Sequence, residues 1–158
     1  MNNDQAELKE LIQNYLHEAK MMQLATVGAD GKPWACSVWF ASDADLNIYW
    51  FSATTRRHSA EVAKNPYVAA AICVPQTPAD KPRGLQLEGT AELLTKPTDV
   101  AKAMKHYVGR VFTLKQVKEF MAHLDRPHRF YRITPESLVL FDTVNYPKNP
   151  RQELKIHD

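Results

Sequence analysis

The segment Ser52-Ala53-Thr54-Thr55-Arg56-Arg57-His58-Ser59 concentrates four hydroxyls and three basic side chains. It stands at the entrance of a short run, Ser59 to Lys64, that reads as a helix closed by Asn65-Pro66. The first turn of a helix leaves N–H groups unpaired and carries a partial positive charge. Hydroxyls and guanidinium groups there suit an anion, a phosphate above all. They equally suit a capped, solvated turn, and physics alone leaves both readings open.

Two further clusters accompany it. Trp34-Ala35-Cys36-Ser37-Val38-Trp39-Phe40 is strand-like, with aromatic residues and small ones between. A flat ring fits against such a strand and can use its main-chain groups, although a plain core strand has the same composition. Arg83-Gly84-Leu85-Gln86-Leu87-Glu88-Gly89 places two glycines in a strand, the mark of a bulge or of a close approach. Gln86 falls on its polar face. His123 and His128 flank Arg126-Pro127 without Cys or carboxylate companions, so they read as a surface and a half-buried histidine rather than metal ligands. No metal is expected, and no side chain stands out as a catalytic acid or base. The chain has no GxGxxG, P-loop, GxSxG or HExxH pattern.

The elements that position these clusters follow from periodicity. Leu8, Leu11, Ile12, Tyr15, Leu16 and Ala19 form one helical stripe within residues 1–20, with Asp4 as a cap. Met22 to Val27, Trp34 to Phe40 and Leu46 to Phe51 are strands joined by the turns Gly28-Ala29-Asp30-Gly31 and Asp43-Ala44-Asp45. Such short connections force antiparallel pairing. Tyr67 to Val74 is nearly continuous apolar sequence and predicts a buried strand. From Leu85 the chain alternates, with Leu85, Leu87, Gly89 and Ala91 on one face. Lys96-Pro97 opens a helix to Val108, and Thr113-Leu114-Lys115-Gln116 fits a capping box ahead of Val117, Phe120, Met121 and Leu124. Arg129 to Ile133 and Ser137 to Phe141 predict two closing strands. The tail, 143–158, is rich in Pro and Asn and is expected to be loose unless a partner holds it. The order α-β-β-β-α-β-β-α-α-β-β implies a single mainly β (α+β) domain, a small antiparallel barrel with helices on its edge.

Composition excludes several classes. With 158 residues, 44% hydrophobic and 24% charged, the chain is an ordinary globule rather than a disordered or fibrous one. A net charge of +2 and the lack of a basic block disfavour nucleic acid, including a DNA-binding use of Arg56-Arg57-His58. The two cysteines, Cys36 and Cys73, are far apart and read as reduced thiols of a cytoplasmic protein. No stretch reaches the roughly 20 apolar residues of a membrane span.

The three clusters, in this order, resemble the pyridoxamine 5′-phosphate oxidase-like family of FMN-binding split barrels. The likeness rests on Thr55-Arg56-Arg57-His58 and Arg83-Gly84-Leu85-Gln86-Leu87-Glu88-Gly89. It also includes Leu24-Ala25-Thr26, Pro33-Trp34, Asn65-Pro66 and Tyr131-Arg132-Ile133-Thr134-Pro135. The resemblance implies a Greek-key split barrel, a homodimer with FMN at its interface, and oxidoreductase chemistry on a small-molecule substrate. By carry-over, Arg57 and His58, assisted by Thr55, take the places that hold the FMN phosphate. Ala35, Cys36, Ser37 and Val38 line the isoalloxazine, Gln86 approaches it from the other subunit, and Arg151 of the tail reaches over the partner's flavin. His58 stands where many relatives have Lys, which makes a softer phosphate partner. The ending Leu154-Lys155-Ile156-His157-Asp158 lacks the Arg-Leu-x-Pro-like tail of the oxidase that gives the family its name. This counts against vitamin B6 oxidation, which stays the alternative enzyme. Relatives of the fold also bind haem or deazaflavin, so a non-catalytic flavin or haem binder is the other class implied. His17, His106, His123 and His128 are the available axial ligands for a haem.

Overall fold

A computed structural model of the protein describes residues 3–156; residues 1–2 and 157–158, the extremities of the expected helix and tail, lie outside the described residues. The elements run α1 (Asn3–Glu18), β1 (Met21–Val27), β2 (Pro33–Ser42), β3 (Ile48–Ala53), α2 (Arg57–Val62), β4 (Tyr67–Ile72), β5 (Arg83–Leu93), α3 (Pro97–Tyr107), α4 (Leu114–Ala122), β6 (His128–Asp142) and β7 (Arg151–Lys155). The sheet order is β3-β2-β1-β4-β5-β6-β7, and β3 also pairs with β6. Every pairing between strands is antiparallel. The extra β3–β6 pairing closes β1 to β6 into a barrel, so the fold is an antiparallel split barrel with flanking helices.

The split comes from a change of partner. β2 pairs with β1 from Pro33 to Trp39, but with β3 only from Phe40 to Ser42. β3 then leaves and pairs with β6 from Ile48 to Ala53. One edge of β2, from Pro33 to Trp39, therefore faces no strand. The barrel interior holds Leu24, Phe40, Ile48, Trp50, Ile72, Leu85, Ile133 and Leu140. α1 seals it with the stripe read from the sequence: Leu8, Ile12, Tyr15, Leu16 and Ala19 are all buried. A second apolar cluster lies under α3 and α4, built on Tyr49, Phe51, Tyr107, Val117 and Phe130.

Arg110 fastens α1 to the barrel. Its guanidinium donates to the carbonyls of Leu16 (2.8 Å), His17 (2.9 Å) and Phe40 (3.3 Å), and to that of Ala19. It meets the carbonyl-rich end of a helix, where a cation is favoured. Replacing Arg110 with Met strands these acceptors, and the expected loss is about 2–3 kcal/mol of unfolding free energy. Urea titration checks this; an unchanged midpoint would mean that water replaces the guanidinium at no cost.

Four expectations need correction. Tyr67–Ile72 is not buried on both faces: burial alternates, Ala69 and Ala71 face outward, and Tyr67 is 65% exposed. Its apolar run reflects small alanines on an open face. Leu124 lies past the end of α4 and is 95% exposed, since the helix ends at Ala122. The two closing strands are one long β6, which carries Pro135 through the ladder where the register shifts between Glu88 and Gly89. Finally, the tail is not loose. β7 pairs with β6 from Arg151 to Lys155 and buries Leu154. Asp142 prepares that return by accepting from the main chain of Val144 (2.7 Å) and Asn145 (3.0 Å).

Candidate functional site

α2 carries the basic cluster, but it is not built as a capped phosphate cradle. It starts at Arg57, two residues before the expected Ser59, and its N-cap is Arg56, which makes no side-chain capping bond. Thr55 is exposed in the turn ahead, and Ser59 is buried within the helix. Tertiary bonds set its orientation instead. Glu61 accepts from the Thr26 hydroxyl (2.5 Å) and from Arg57 Nε (2.8 Å), and the Arg57 guanidinium carbon lies 4.2 Å from the centroid of Trp34. The Thr26 and Arg57 bonds hold the Glu61 carboxyl below its ordinary range, so it stays ionised at neutral pH. A cation over an aromatic face and against a carboxylate is held in place, with its terminal nitrogens free to bind.

His58 takes a different position. It is 8% exposed, with Nδ1 at 3.3 Å from Cys36 Sγ and Nε2 at 2.8 Å from Ser52 Oγ. Both ring nitrogens are thus engaged inside the protein. Burial, then the Arg56 charge, push its pKa below the ordinary imidazole range. Burial pushes the Cys36 thiol up, with the Glu61 carboxylate adding to the effect.

These side chains border a cavity of about 520 Å³ in the mouth of the split. Trp34, Cys36, Ser37, Val38 and Trp39 of β2 form one wall, and Ser52, Arg56, Arg57 and His58 the polar end. Phe51, Tyr107, Phe112, Phe120 and His128 form an aromatic end. Strand alternation determines what β2 offers. Phe40 N–H donates to Lys20 of the β1 side (3.1 Å), while the Tyr107 hydroxyl reaches the Trp39 carbonyl from the other (3.4 Å). The main-chain groups of Ala35 and Ser37 therefore point to the edge that has no partner strand. A flat ring with imide-type donors and acceptors fits such an edge, and an attached phosphate fits two exposed guanidinium groups. The donor set matches FMN in kind.

The nine residues marked from the sequence divide. Cys36, Ser37, Val38, Arg57 and His58 border this cavity, and Thr55 does not. Ala35, Gln86 and Arg151 lie on the outer sheet face, beside a second hollow of about 560 Å³ bordered also by Gln23, Ala25, Ala69, Ala71, Glu88 and Glu153. That face is a carpet of small residues: Ala25 pairs with Ala35 and Ala69, and Ala71 with Gln86. Arg151 is spent there on Glu153 (3.3 Å) rather than free. Periodicity gave no sign of the tertiary holders Thr26 and Glu61, nor of the aromatic end, whose members come from four separate elements and the loop between α3 and α4. Among the described residues, no three His, Cys, Asp or Glu converge as a metal site. No described helix is long and apolar enough to cross a membrane.

Comparison with known proteins agrees with this architecture. No curated protein matches the sequence. A haem-binding protein from Mycobacterium smegmatis superposes with a TM-score of 0.74 at 16% identity, over 99% of this chain and 60% of its own. The present chain thus spans only about three fifths of that relative. The haem storage protein HutZ of Vibrio cholerae gives 0.67 at 20% identity, over 82% of this chain and 90% of its own. A Clostridium acetobutylicum protein related to general stress protein 26, of the pyridoxinephosphate oxidase family, gives 0.65 at 17%, over 96% and 98%. At these identities the structures speak for the fold alone. The family model for pyridoxamine 5′-phosphate oxidase matches residues 8–141, which takes in the barrel, the split and α2, and on that match the chain belongs to the pyridoxamine 5′-phosphate oxidase family.

Proposed function

We propose that the protein is an FMN-binding homodimer acting as a flavin-dependent oxidoreductase on a small molecule. The observation that carries this reading is the unpaired edge of β2, whose Ser37 stands beside Trp34, Arg56 and Arg57 in one cavity. When bound, the flavin supplies hydride transfer. The chain's part is to position it. The β2 edge orients the ring by main-chain hydrogen bonds, Arg56 and Arg57 hold the phosphate, and the aromatic end keeps water from the far side. A second subunit completes the site by bringing its outer face, with Gln86 and Arg151, over the open ring.

Visible absorption after desalting tests the cofactor. A flavin band that stays with the protein, with quenching of the cavity tryptophans Trp34 and Trp39, is the expected result. No retained band and no quenching at saturating FMN would remove the reading. The dimer has a separate test. Light scattering is expected to give twice the 18.0 kDa chain mass. Ala71→Glu, which adds a charge to the exposed small-residue face, is expected to give monomers and to lose FMN together with them. A monomeric wild-type protein would rule out a site completed by the partner.

One observation favours a second reading, a haem binder. His128 Nδ1 lies 3.2 Å from the Arg126 carbonyl, which fixes the ring with Nε2 unprotonated, and burial keeps the ring neutral by lowering its pKa. That is the state of a metal-ligating imidazole. Two of the similar structures are haem proteins by name. A Soret band on hemin addition that disappears in His128→Ala would put this reading first.

A further inference from the structure

Cys36, His58 and Ser52 form a row that neither phosphate binding nor ring stacking requires. The row draws on three elements, β2, α2 and β3, and all three residues border the cavity in the split. His58 and Ser52 are buried while Cys36 is half-buried, so of the three it is the residue most open to the cavity they border. The ionisable groups around the row are Arg56, Arg57 and Glu61 of α2 and its approach, and His128 of β6. Burial holds the thiol protonated and the imidazole neutral at neutral pH. Both neutral tautomers satisfy these contacts; in the one with Nε2 protonated, Cys36 S–H donates to Nδ1 (3.3 Å) and Nε2–H donates to Ser52 Oγ (2.8 Å). Ser52 orients the ring, and the Nε2-protonated tautomer leaves Nδ1 as the base toward Cys36.

We propose that Cys36 is a base-assisted nucleophile that exchanges with small anionic disulfides entering this cavity. The thiol proton passes to His58 Nδ1 as the sulfur attacks. A new S–S bond forms to one sulfur of the incoming disulfide, and the old S–S bond breaks with its electron pair on the departing thiolate. An alkyl thiolate takes the proton back from His58, whereas an acidic aromatic thiol leaves as thiolate and His58 gives the proton to solvent; either way one disulfide and one thiol become one mixed disulfide and one thiol or its thiolate. A thiol with an adjacent general base follows this route without being a standing thiolate. Arg56 and Arg57, exposed at the polar end, select reagents bearing carboxylates. The mixed disulfide then occupies the cavity, so the residue is a modification site that blocks whatever ligand the split holds.

The experiment uses the full chain with Cys73→Ser, since Cys73 is the other, exposed thiol. The dianionic reagent 5,5′-dithiobis(2-nitrobenzoate) and the neutral 4,4′-dithiodipyridine are the probes. With the first, one equivalent of released thiolate is expected, absent in Cys36→Ser. Its rate should rise less than about threefold between about pH 6.5 and 8, because His58 is already neutral there and acts as base throughout. An unassisted thiol would instead rise about tenfold per pH unit, as its thiolate fraction does. His58→Gln should restore that steep slope and slow the reaction at about pH 6.5 by about tenfold or more. Added salt should slow the dianionic reagent and leave the neutral one unchanged. A tenfold-per-unit slope in the parent protein overturns the proposal without any variant being needed. A folded His58→Gln protein with an unchanged rate does so too. Equal salt responses of the two reagents overturn the anionic selectivity.

Discussion

Replacing Arg57 with alanine is expected to weaken FMN binding by about 1.5–3 kcal/mol, the scale of a hydrogen bond to a charged group. That is roughly a 10- to 150-fold rise in Kd. The effect should be large because the guanidinium is already fixed. Glu61 holds Nε at 2.8 Å and the Trp34 ring lies 4.2 Å beneath the charge, so little side-chain freedom remains to be lost on binding. Arg57→Lys should recover only part of the affinity, since an ammonium cannot stack flat on Trp34 while bonding Glu61. His58→Gln makes the useful contrast. Both of its ring nitrogens are occupied by Cys36 and Ser52, so its removal should cost FMN binding much less. Fluorescence titration reads all three. An Arg57→Ala protein with wild-type affinity would take the phosphate away from α2 altogether.

The largest effect on stability is expected at Gly89. A Cβ at this position would lie 2.3 Å from the Thr134 carbonyl oxygen and 2.8 Å from Pro135 Cα. Both are main-chain atoms of β6, so no side chain can swing aside. The only relief is to move β6 where the β5–β6 register shifts. Gly89→Ala should cost about 3 kcal/mol or more, the upper range for overpacking. In a chain of this size that lowers the melting temperature by roughly 10 °C. Gly31→Asn is the control. Its φ of +76° is tolerated by asparagine, and nothing lies within 4 Å of the new Cβ, so a near-neutral result is expected. Equal midpoints for Gly89→Ala and the wild type would mean that the bulge relocates without loss.

What sequence periodicity resolves is local, and the site is largely not. The α1 stripe, the antiparallel meander β1 to β3, the β5 alternation and the Thr113–Gln116 capping box appear in the structure, because each is settled by neighbours a few residues apart, although β3 starts at Ile48 and leaves the expected Leu46 in the turn at a φ of +67°. The failures are tertiary. Alanines have no polarity to reveal that Ala69 and Ala71 face outward. Pro135 looks like a strand breaker until the glycine opposite makes room for it. The tail looks loose until β6 supplies an edge for Arg151 to Lys155. Within the site, the cluster after β3 was legible as basic, but the engagement of His58 by Cys36 and Ser52 joins three elements and leaves no trace in spacing. Gln86 was legible as a polar-face residue and Arg151 only through the family resemblance; that they share one surface appears only in the structure. Their distance from the Arg57 cavity within one subunit follows from the sheet curving between β2 and β5.

Barrel closure also has a kinetic consequence. The hairpins β1–β2, β2–β3 and β4–β5 join near neighbours and can form on the microsecond scale of isolated hairpins. The pairing of Ile48–Ala53 with His128–Ile133 brings together segments from opposite halves of the chain, and β1–β4 spans the whole of β2, β3 and α2. Long-range pairings of this kind slow folding to the millisecond-to-second range. The β3–β6 seam cannot be sampled until most of the chain has collapsed, and the cavity in the split has both walls only after that seam has formed. A ligand that needs both walls therefore binds after the slowest event. Raising its concentration should slow unfolding and leave the refolding rate unchanged.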